Sequence, residues 1–198
     1  RIWIVGSSLI RNAFVRAKNS SFGANLELRS LQASVFWQGK GGMKWDEVLP
    51  KVRTLLRIED PPAYLMIHCC GNDIAGKINS ITLRHEIEAG LITLSRMLPN
   101  TTLVWSQILP RLKWRDEDDH RAVNKIRRRI NSKIATFVMR MGGRYIRYPE
   151  LCEQNPGFFA TDKVHLTQSG NDMFLYHIQQ AFQLFLISDK LFSPPLSY

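Results

Sequence analysis

The chain has 198 residues, 44% of them hydrophobic, and its 27 Lys and Arg against 17 Asp and Glu give a formal net charge of +10. This length and hydrophobicity predict a single domain, residues 1–198, and no apolar run approaches the 18 residues of a membrane span. Three cysteines, Cys69, Cys70 and Cys152, form no disulfide framework and indicate a reduced, intracellular protein, cytoplasmic or nuclear. Because the sequence opens on a predicted strand without an initiator methionine, we expect a domain cut from a longer protein.

Strand-like runs and helical patterns alternate along the chain. Runs rich in Val, Ile, Trp and Tyr predict strands at 2–5, 33–38, 63–69, 102–108 and 144–147. Apolar residues at helical spacing follow the strands, at 9–17, 45–56, 83–98, 123–141 and 174–185. Strands that alternate with helices form a parallel sheet with right-handed crossovers. The sequence therefore predicts the α/β class, a three-layer α/β/α sandwich with a five-stranded parallel sheet.

The residues suited to chemistry lie beside the predicted strand ends. Ser8 follows the first strand, 41–42 follow the second, 71–73 follow the third, and 162–165 immediately precede the last helix. Ligands in open α/β sheets bind at the carboxyl ends of the strands. These four segments are therefore expected to converge at one edge of the sheet.

Ser8, His165 and Asp162 are the predicted catalytic residues. A serine hydroxyl needs an adjacent base to remove its proton as it attacks, and His165 is suited to that role. Asp162 precedes the histidine by three residues, so it can accept the other ring N–H and stabilise the imidazolium. Attack creates an oxyanion, for which the backbone N–H groups of Ser8 and Gly42 and the side-chain amide of Asn72 are the predicted donors.

Each fragment also has a plainer interpretation. A Gly-Ser-Ser sequence after a strand is often a helix N-cap, Asn72-Asp73 is a common turn, and a lone histidine is usually structural. The glycines at 39–42 lack the spacing of a phosphate-binding P-loop. His68, Cys69 and Cys70 would alternate between the faces of one strand, so we expect no metal site.

The four segments together resemble the SGNH (GDSL-type) hydrolases, which have a Gly-Asp-Ser-Leu block, an oxyanion glycine, a Gly-x-Asn-Asp block and an Asp-x-x-His block. The matching residues here are Gly6-Ser7-Ser8-Leu9, Gly42, Cys70-Gly71-Asn72-Asp73 and Asp162-Lys163-Val164-His165. The resemblance implies a flavodoxin-like fold and hydrolysis of esters or thioesters through an acyl-serine intermediate, without a cofactor. Ser7 stands where that family usually has aspartate, and Cys70 where it usually has glycine.

A narrower resemblance rests on the Gly-Ser-Ser start and on the Gly41-Gly42-Met43-Lys44-Trp45 stretch. Both are similar to esterase domains in the first open-reading-frame proteins of some vertebrate LINE retrotransposons. That resemblance would suit an intracellular, basic domain of a longer protein.

The positive charge is concentrated in residues 111–147, which hold 12 Lys and Arg and 4 acids, a local balance of +8. In the predicted helix at 123–141, the outer face carries Arg121, Lys125, Arg128 and Arg129. Such a face attracts phosphate on anionic lipid or nucleic acid, or it is a solvated helix surface. The sequence thus predicts an esterase for small acyl or lipid esters, with a binding module for anionic membranes or nucleic acid as the alternative.

Two further surfaces are suggested by composition. Arg111, Lys113, Trp114 and Arg115 follow the fourth strand, so they are candidates for a lid, a lipid contact or a base-stacking contact, or else form an ordinary loop with the tryptophan packed inward. The apolar last helix and the tail at 192–195 offer a candidate homodimer surface.

Overall fold

Six parallel strands form one sheet in the computed structural model, which describes residues 1–75, 79–115 and 118–194. The strands are β1 Ile2–Gly6, β2 Val35–Gly39, β3 Tyr64–His68, β4 Thr102–Ser106, β5 Arg144–Ile146 and β6 Phe192–Ser193. Their order is β2-β1-β3-β4-β5-β6, and every neighbouring pair is parallel. The carboxyl ends of all six strands therefore lie at one edge of the sheet.

Helices connect these strands. They are α1 Ser8–Lys18, α2 Val48–Leu55, α3 Gly71–Ile74, α4 Ser80–Met97, α5 His120–Arg140 and α6 Gln168–Ile187. Side-chain caps fix three of the helix starts, because Asn79, Asp119 and Thr167 each accept a backbone N–H from the first turn of α4, α5 and α6. Short 3-10 helices lie at Leu28–Leu31, Trp45–Glu47 and Pro156–Phe158.

Both faces of the sheet are covered. In β1, Ile2 and Ile4 belong to the apolar cluster that contains α1 and α6, while Trp3 and Val5 belong to the cluster that contains α2, α4 and α5. The whole of β1 is buried, as expected for a parallel strand between two helical layers. The predicted α/β/α sandwich is confirmed.

The details differ from the prediction in the number of strands, in the strand ends and in the segment after β3. The sheet has a sixth strand, β6, whose two residues are too few to produce an alternating pattern. The third strand ends at His68 instead of residue 69, and the fourth ends at Ser106 instead of residue 108. A single helical turn, α3, lies where a turn was expected.

The last helix is part of the protein's own core. The apolar side chains that face the sheet, including Phe174, Ile178 and Phe182, are fully buried, whereas Tyr176 and Ile187 of the same helix are exposed. The homodimer surface stays a prediction. Phe192 of β6 pairs with Tyr145 of β5, and Pro195, the end of the predicted tail, lies outside the described residues. In α6, Asp172 also accepts two hydrogen bonds from Arg16 of α1, at 2.6 and 2.8 Å.

Within residues 1–75, 79–115 and 118–194, every helix is too short or too polar to cross a membrane.

Candidate active site

Ser8 is the first residue of α1, immediately after the carboxyl end of β1. Ser7 occupies the N-cap position, yet its side chain makes no capping hydrogen bond. The Ser7 N–H donates instead to the His68 carbonyl at the end of β3, which anchors the start of α1 to the neighbouring strand. Ser8 itself is not the capping residue, so its hydroxyl can bond to a group outside the helix.

That hydroxyl faces His165, which comes from the turn before α6. Ser8 Oγ lies 2.9 Å from His165 Nε2, and Asp162 Oδ2 lies 2.5 Å from His165 Nδ1. Because Nδ1 faces a carboxylate, it carries the ring proton, and Nε2 accepts from the Ser8 hydroxyl. The structure thus brings together the three residues predicted as nucleophile, base and orienting acid, over a sequence separation of 157 between Ser8 and His165.

A local hydrogen-bonding pattern holds Asp162 in place. Its Oδ1 accepts the backbone N–H groups of Val164 and His165, both at 2.9 Å. Burial alone would raise the pKa of the Asp162 carboxyl, but hydrogen bonds from the His165 ring and these two N–H groups outweigh it and lower the pKa to about 2. Asp162 is therefore ionised at neutral pH and able to stabilise a positive charge on His165.

Two of the predicted oxyanion donors are unused backbone groups. Among the described residues, neither the Ser8 N–H nor the Gly42 N–H has a hydrogen-bond acceptor. Gly42 has a φ of +72°, a conformation that glycine adopts without strain, and this sets the direction of its N–H. The β1–β2 pairing aligns Gly6 with Gly39, so the loop after β2 lies beside Ser8.

Asn72, the third predicted donor, lies in α3, directly after β3. Its Nδ2 donates to the Met43 carbonyl at 3.0 Å, in the residue after Gly42. Its Oδ1 accepts from Arg111 Nη2 at 2.8 Å. Asn72 therefore lies next to the Gly42 loop, as expected for the edge where three strands end, and one N–H of its amide remains for a ligand.

The candidate site is partly open to solvent, because the side chains of His165 and Asp162 are 34% and 49% exposed. A gap of about 10 Å³, roughly the space of one water molecule, lies nearby between Ser7, His68, Leu109 and Arg111. The gap is lined by the neighbours of Ser8 but by none of the predicted catalytic or oxyanion residues themselves, so it is distinct from the space in which a substrate would meet the Ser8 hydroxyl.

The loop after β4 differs from the predicted lid. Trp114 is only 1% exposed and packs in the core on the α4–α5 side, so its ring is unavailable to lipid or bases. The surface contact predicted for Trp114 is therefore wrong, because the ring gains more by burial against the sheet. Arg111 turns inward to Asn72, while Lys113 and Arg115 are exposed.

The predicted basic face is exposed on α5, with Arg121, Lys125, Arg128 and Arg129 all open to solvent. Arg128 also donates to Glu153 at 2.8 Å. A cavity of about 560 Å³ lies between the start of α5, Arg111 and Glu153. The face therefore retains cations without a carboxylate partner among the described residues.

The two adjacent cysteines lie closer together than predicted. Because β3 ends at His68 and Cys70 has a φ of +78°, the thiols of Cys69 and Cys70 do not alternate but lie with the Asp73 carboxylate within 4.8 Å of one another. The expectation that they point to opposite faces is wrong for that reason. Both oxygens of Asp73 accept from the Trp45 N–H, and burial raises the pKa of the Cys70 thiol well above its usual range, so this cluster is arranged as a packed, hydrogen-bonded turn.

A second serine–histidine pair was missed by the sequence analysis. Ser106 Oγ at the end of β4 lies 2.8 Å from His68 Nδ1 and 2.6 Å from the Tyr148 hydroxyl. All three side chains are buried, and burial, aided by the charge of Arg111, lowers the pKa of His68 to about 3. His68 is thus neutral at ordinary pH.

Comparisons with known proteins support the fold. No protein-family model matches the sequence, and no curated protein matches it. Similar solved structures include a GDSL-like lipase from Bacteroides thetaiotaomicron (19% identity, TM-score 0.70, covering 91% of this chain and 86% of that one). A member of the lipolytic G-D-S-L family from Veillonella parvula has 13% identity and a TM-score of 0.70 over 92% of this chain and 97% of its own.

A third similar structure is a mutant of an acetyl-xylooligosaccharide esterase from a Geobacillus species. It has 13% identity and a TM-score of 0.64, and the match covers 96% of each chain. Likenesses at such low identity establish a shared fold. The chain therefore has the fold of solved GDSL-type lipolytic hydrolases.

Proposed function

We propose that this chain is a serine ester hydrolase of the SGNH type that forms an acyl-serine intermediate, with Ser8 as nucleophile, His165 as base and Asp162 as orienting acid. The observation that supports this most is the continuous hydrogen-bonded series from Ser8 Oγ through the His165 ring to Asp162. The unused N–H groups of Ser8 and Gly42 and the free N–H of Asn72 are suited to the oxyanion.

In the first half of the reaction, Ser8 Oγ bonds to the ester carbonyl carbon and its proton passes to His165 Nε2. The carbonyl π electrons move onto the oxygen, which becomes an oxyanion held by the N–H donors. When the C=O bond re-forms, the bond to the alcohol oxygen breaks. His165 gives its proton to that oxygen, which releases the alcohol and leaves Ser8 acylated.

In the second half, water repeats the same steps. It loses a proton to His165 Nε2 as its oxygen bonds to the acyl carbon, and a second oxyanion forms. This oxyanion collapses, the bond to Ser8 breaks and Oγ recovers the proton from His165. The products are a carboxylic acid and the original enzyme.

A short acyl group, such as acetyl, is the proposed substrate portion, because the partial exposure of His165 and Asp162 would leave a long acyl chain against solvent. The alcohol portion would extend into solvent, since His165 and Asp162 are partly exposed. A lipid ester would have to lie along the surface. The resemblance to retrotransposon esterase domains stays a prediction, as does membership of a longer intracellular protein.

The test is the hydrolysis of a series of nitrophenyl esters from acetate to long acyl chains. We expect turnover that decreases with chain length and falls by roughly ten-thousandfold or more in Ser8→Ala, with an unchanged unfolding transition. Ser132→Ala, at an exposed serine of α5, is the matched control and should retain full turnover. Equal turnover by the parent and Ser8→Ala would remove the nucleophile assignment.

The exposed cations of α5 support a second candidate function, the binding of an anionic partner. One exposed face carries Arg121, Lys125, Arg128 and Arg129. Among the described residues, Arg128 is the one member of this face with a carboxylate partner, Glu153, which also pairs with the buried Arg127. The partner would present phosphate groups, on an anionic membrane or on nucleic acid. Such binding is compatible with hydrolysis, because it would bring the site to its substrate.

Salt dependence tests this second function. If four phosphates are contacted, affinity for a short duplex should fall roughly a hundredfold between 50 and 200 mM salt. Hydrolysis of a small neutral ester should hardly change over that range. Neutralising Arg121, Lys125 and Arg129 to Gln should abolish binding. Neutralising Arg53 in α2 and Arg57 just after it should not. Anionic vesicles in place of the duplex distinguish the two partners, and salt-independent binding would contradict the electrostatic basis.

A further inference from the structure

Arg111 differs from the other basic residues of its segment because its side chain turns into the protein. Its Nη2 donates to Asn72 Oδ1 at 2.8 Å. It also packs so closely against Gly71 that a Cβ there would lie 3.0 Å from Nη2. The guanidinium therefore contacts the amide oxygen of Asn72, whose remaining N–H is suited to donate to the oxyanion.

The contacts of Asn72 select one orientation of its amide. A guanidinium can only donate, so it must face Oδ1, and the Met43 carbonyl can only accept, so it must face Nδ2. Both contacts therefore favour the same orientation, with Nδ2 toward the Gly42 loop. Without Arg111, the flipped amide would lose only the Met43 contact, and the donor would be less well fixed.

The loop that carries Arg111 is held by buried polar side chains of α5. Asn131 bonds both the N–H and the carbonyl of Ile108, each at 2.9 Å, and Arg127 donates to the same carbonyl at 2.9 Å. Asn124 Nδ2 donates to the Arg111 carbonyl at 3.0 Å. Asn124, Arg127 and Asn131 are all at most 4% exposed. The position of Arg111 is thus fixed by the helix behind it.

Two further contacts complete the support. The Arg111 guanidinium lies 5.1 Å from the centre of the Trp114 ring, a cation–π arrangement. The N–H groups of Leu112 and Lys113 both point to the Lys163 carbonyl, at 2.9 and 3.4 Å. Lys163 belongs to the turn that carries Asp162 and His165. The loop of Arg111 therefore contacts both that turn and the Asn72 amide.

The guanidinium keeps its charge in this position. Burial lowers the pKa of Arg111 to about 10, with the nearby charge of Arg115 adding to the effect. It is therefore still protonated at neutral pH. The positive charge of the guanidinium beside Asn72 Oδ1 polarises the amide, and this makes the remaining N–H of Asn72 a stronger donor.

We propose that Arg111 is a positioning residue for ester hydrolysis, which orients and polarises the Asn72 amide so that its free N–H is directed at the developing oxyanion. This inference rests on the proposed function. It gives this half-buried arginine a role in the rate of acylation that acts through the Asn72 amide.

A double-mutant cycle on a short neutral nitrophenyl ester tests it. Asn72→Ala should lower kcat about a hundredfold to a thousandfold. Arg111→Met should lower kcat about tenfold to a hundredfold with little change in KM, which is the effect of one lost charged hydrogen bond. In the Asn72→Ala background, Arg111→Met should have almost no further effect. Arg111→Lys, which keeps the charge without the planar fork, should restore part of the loss.

Several results would overturn the proposal. They are an unchanged kcat in Arg111→Met, full additivity with Asn72→Ala, or a rise in KM alone, which would make Arg111 a group that binds substrate. If Arg111→Met lacks a native unfolding transition, Arg111→Lys replaces it in the cycle with Asn72→Ala. Additive losses of kcat in that second cycle also contradict the proposal. Arg140→Met, at the exposed end of α5, is the control for lost charge.

Failure of this inference is distinguishable from failure of the proposed function. Turnover by the parent that does not depend on Ser8 removes the function itself. Turnover that depends on Ser8 but not on the Arg111–Asn72 pair removes only the positioning role.

Discussion

Two serine–histidine pairs lie near the same edge of the sheet, and their surroundings differ in every respect that matters for chemistry. Ser8 and His165 are 2.9 Å apart, and Asp162 holds the far side of the ring. Ser106 and His68 are 2.8 Å apart, and the other neighbour of the serine is the Tyr148 hydroxyl. The distance between serine and histidine therefore does not distinguish a candidate catalytic pair from a packed one.

Access and charge make the distinction. The His165 side chain is 34% exposed and faces an ionised carboxylate, so it can take up a proton as a substrate reacts. His68 is 2% exposed, and its burial holds it neutral. Because its pKa is so low, His68 is poorly suited to accept a proton from a serine hydroxyl. The buried pair therefore stabilises the packing of the core.

The largest expected effect is on turnover. His165→Ala should reduce kcat by roughly ten-thousandfold while leaving the unfolding transition unchanged, because the side chain is partly exposed. Ser106→Ala should leave kcat nearly unchanged but reduce the free energy of unfolding by about 1–3 kcal/mol, since it leaves buried polar groups unpaired. Ester kinetics and urea unfolding measure the two effects. A Ser106→Ala variant as inactive as His165→Ala would contradict the comparison.

A smaller effect is expected from the third group of each series, Asp162 beside His165 and Tyr148 beside Ser106. In Asp162→Asn, the amide oxygen can still accept the two backbone N–H groups, but the amide NH₂ then faces His165 Nδ1. The ring must place its proton on Nε2, where it cannot accept from Ser8, and kcat should fall about a hundredfold to ten-thousandfold.

Tyr148→Phe is the control for that change in the buried pair. It removes the hydroxyl beside Ser106 and should cost about 1 kcal/mol of stability with no loss of kcat. Steady-state kinetics on the same ester compare the variants. Equal turnover of Asp162→Asn and the parent would show that the carboxylate has no orienting role.

How much of this comparison could be predicted depends on whether a contact is local. Asp162 and His165 are placed by hydrogen bonds within one turn, so a three-residue spacing contains the necessary information. The position of Ser8 could be predicted because it comes just after the end of β1. The roles of these residues remain predictions, but their convergence followed from the order of strands and the parallel sheet.

Arg111 could not be placed in this way, because its direction depends on the polar side chains of α5. One signal was present in the sequence: Asn124, Arg127 and Asn131 recur at the same three- and four-residue spacing as the apolar stripe of that helix. Polar residues at core spacing indicate buried hydrogen bonds to a neighbouring segment. The Ser106–His68 contact gave no signal, because it joins two strands through side chains alone.

The last expected effects concern stability, and not turnover, as the pH falls. The folded pKa of His68, about 3, lies below the ordinary 6.5, so the unfolded chain binds a proton that the folded protein does not between these values. Stability should therefore decline as the pH drops below 6.5, by up to roughly 1.4 kcal/mol per pH unit. His68→Gln should be less stable at pH 7 but should show a shallower decline.

Asp162 should contribute in a lower pH range and by less. Its folded pKa of about 2 lies below the ordinary 3.8, so its stabilising effect is complete above 3.8 and disappears toward pH 2. Because the side chain is half exposed, solvent screening keeps this contribution small. Urea unfolding of the parent and Asp162→Asn at pH 5 and 3 should show the difference shrinking, and a growing difference would contradict the sign.

The distance of 157 residues between Ser8 and His165 has a consequence for how the protein is made. Synthesis proceeds from the amino terminus, so the strands β1 to β5 emerge from the ribosome before the turn at 162–165. A nascent chain at that stage carries Ser8 without Asp162 and His165. Only after α6 follows can its Asp172 pair with Arg16 of α1. On the proposed function, chains that end before residue 162 should therefore show no turnover that depends on Ser8.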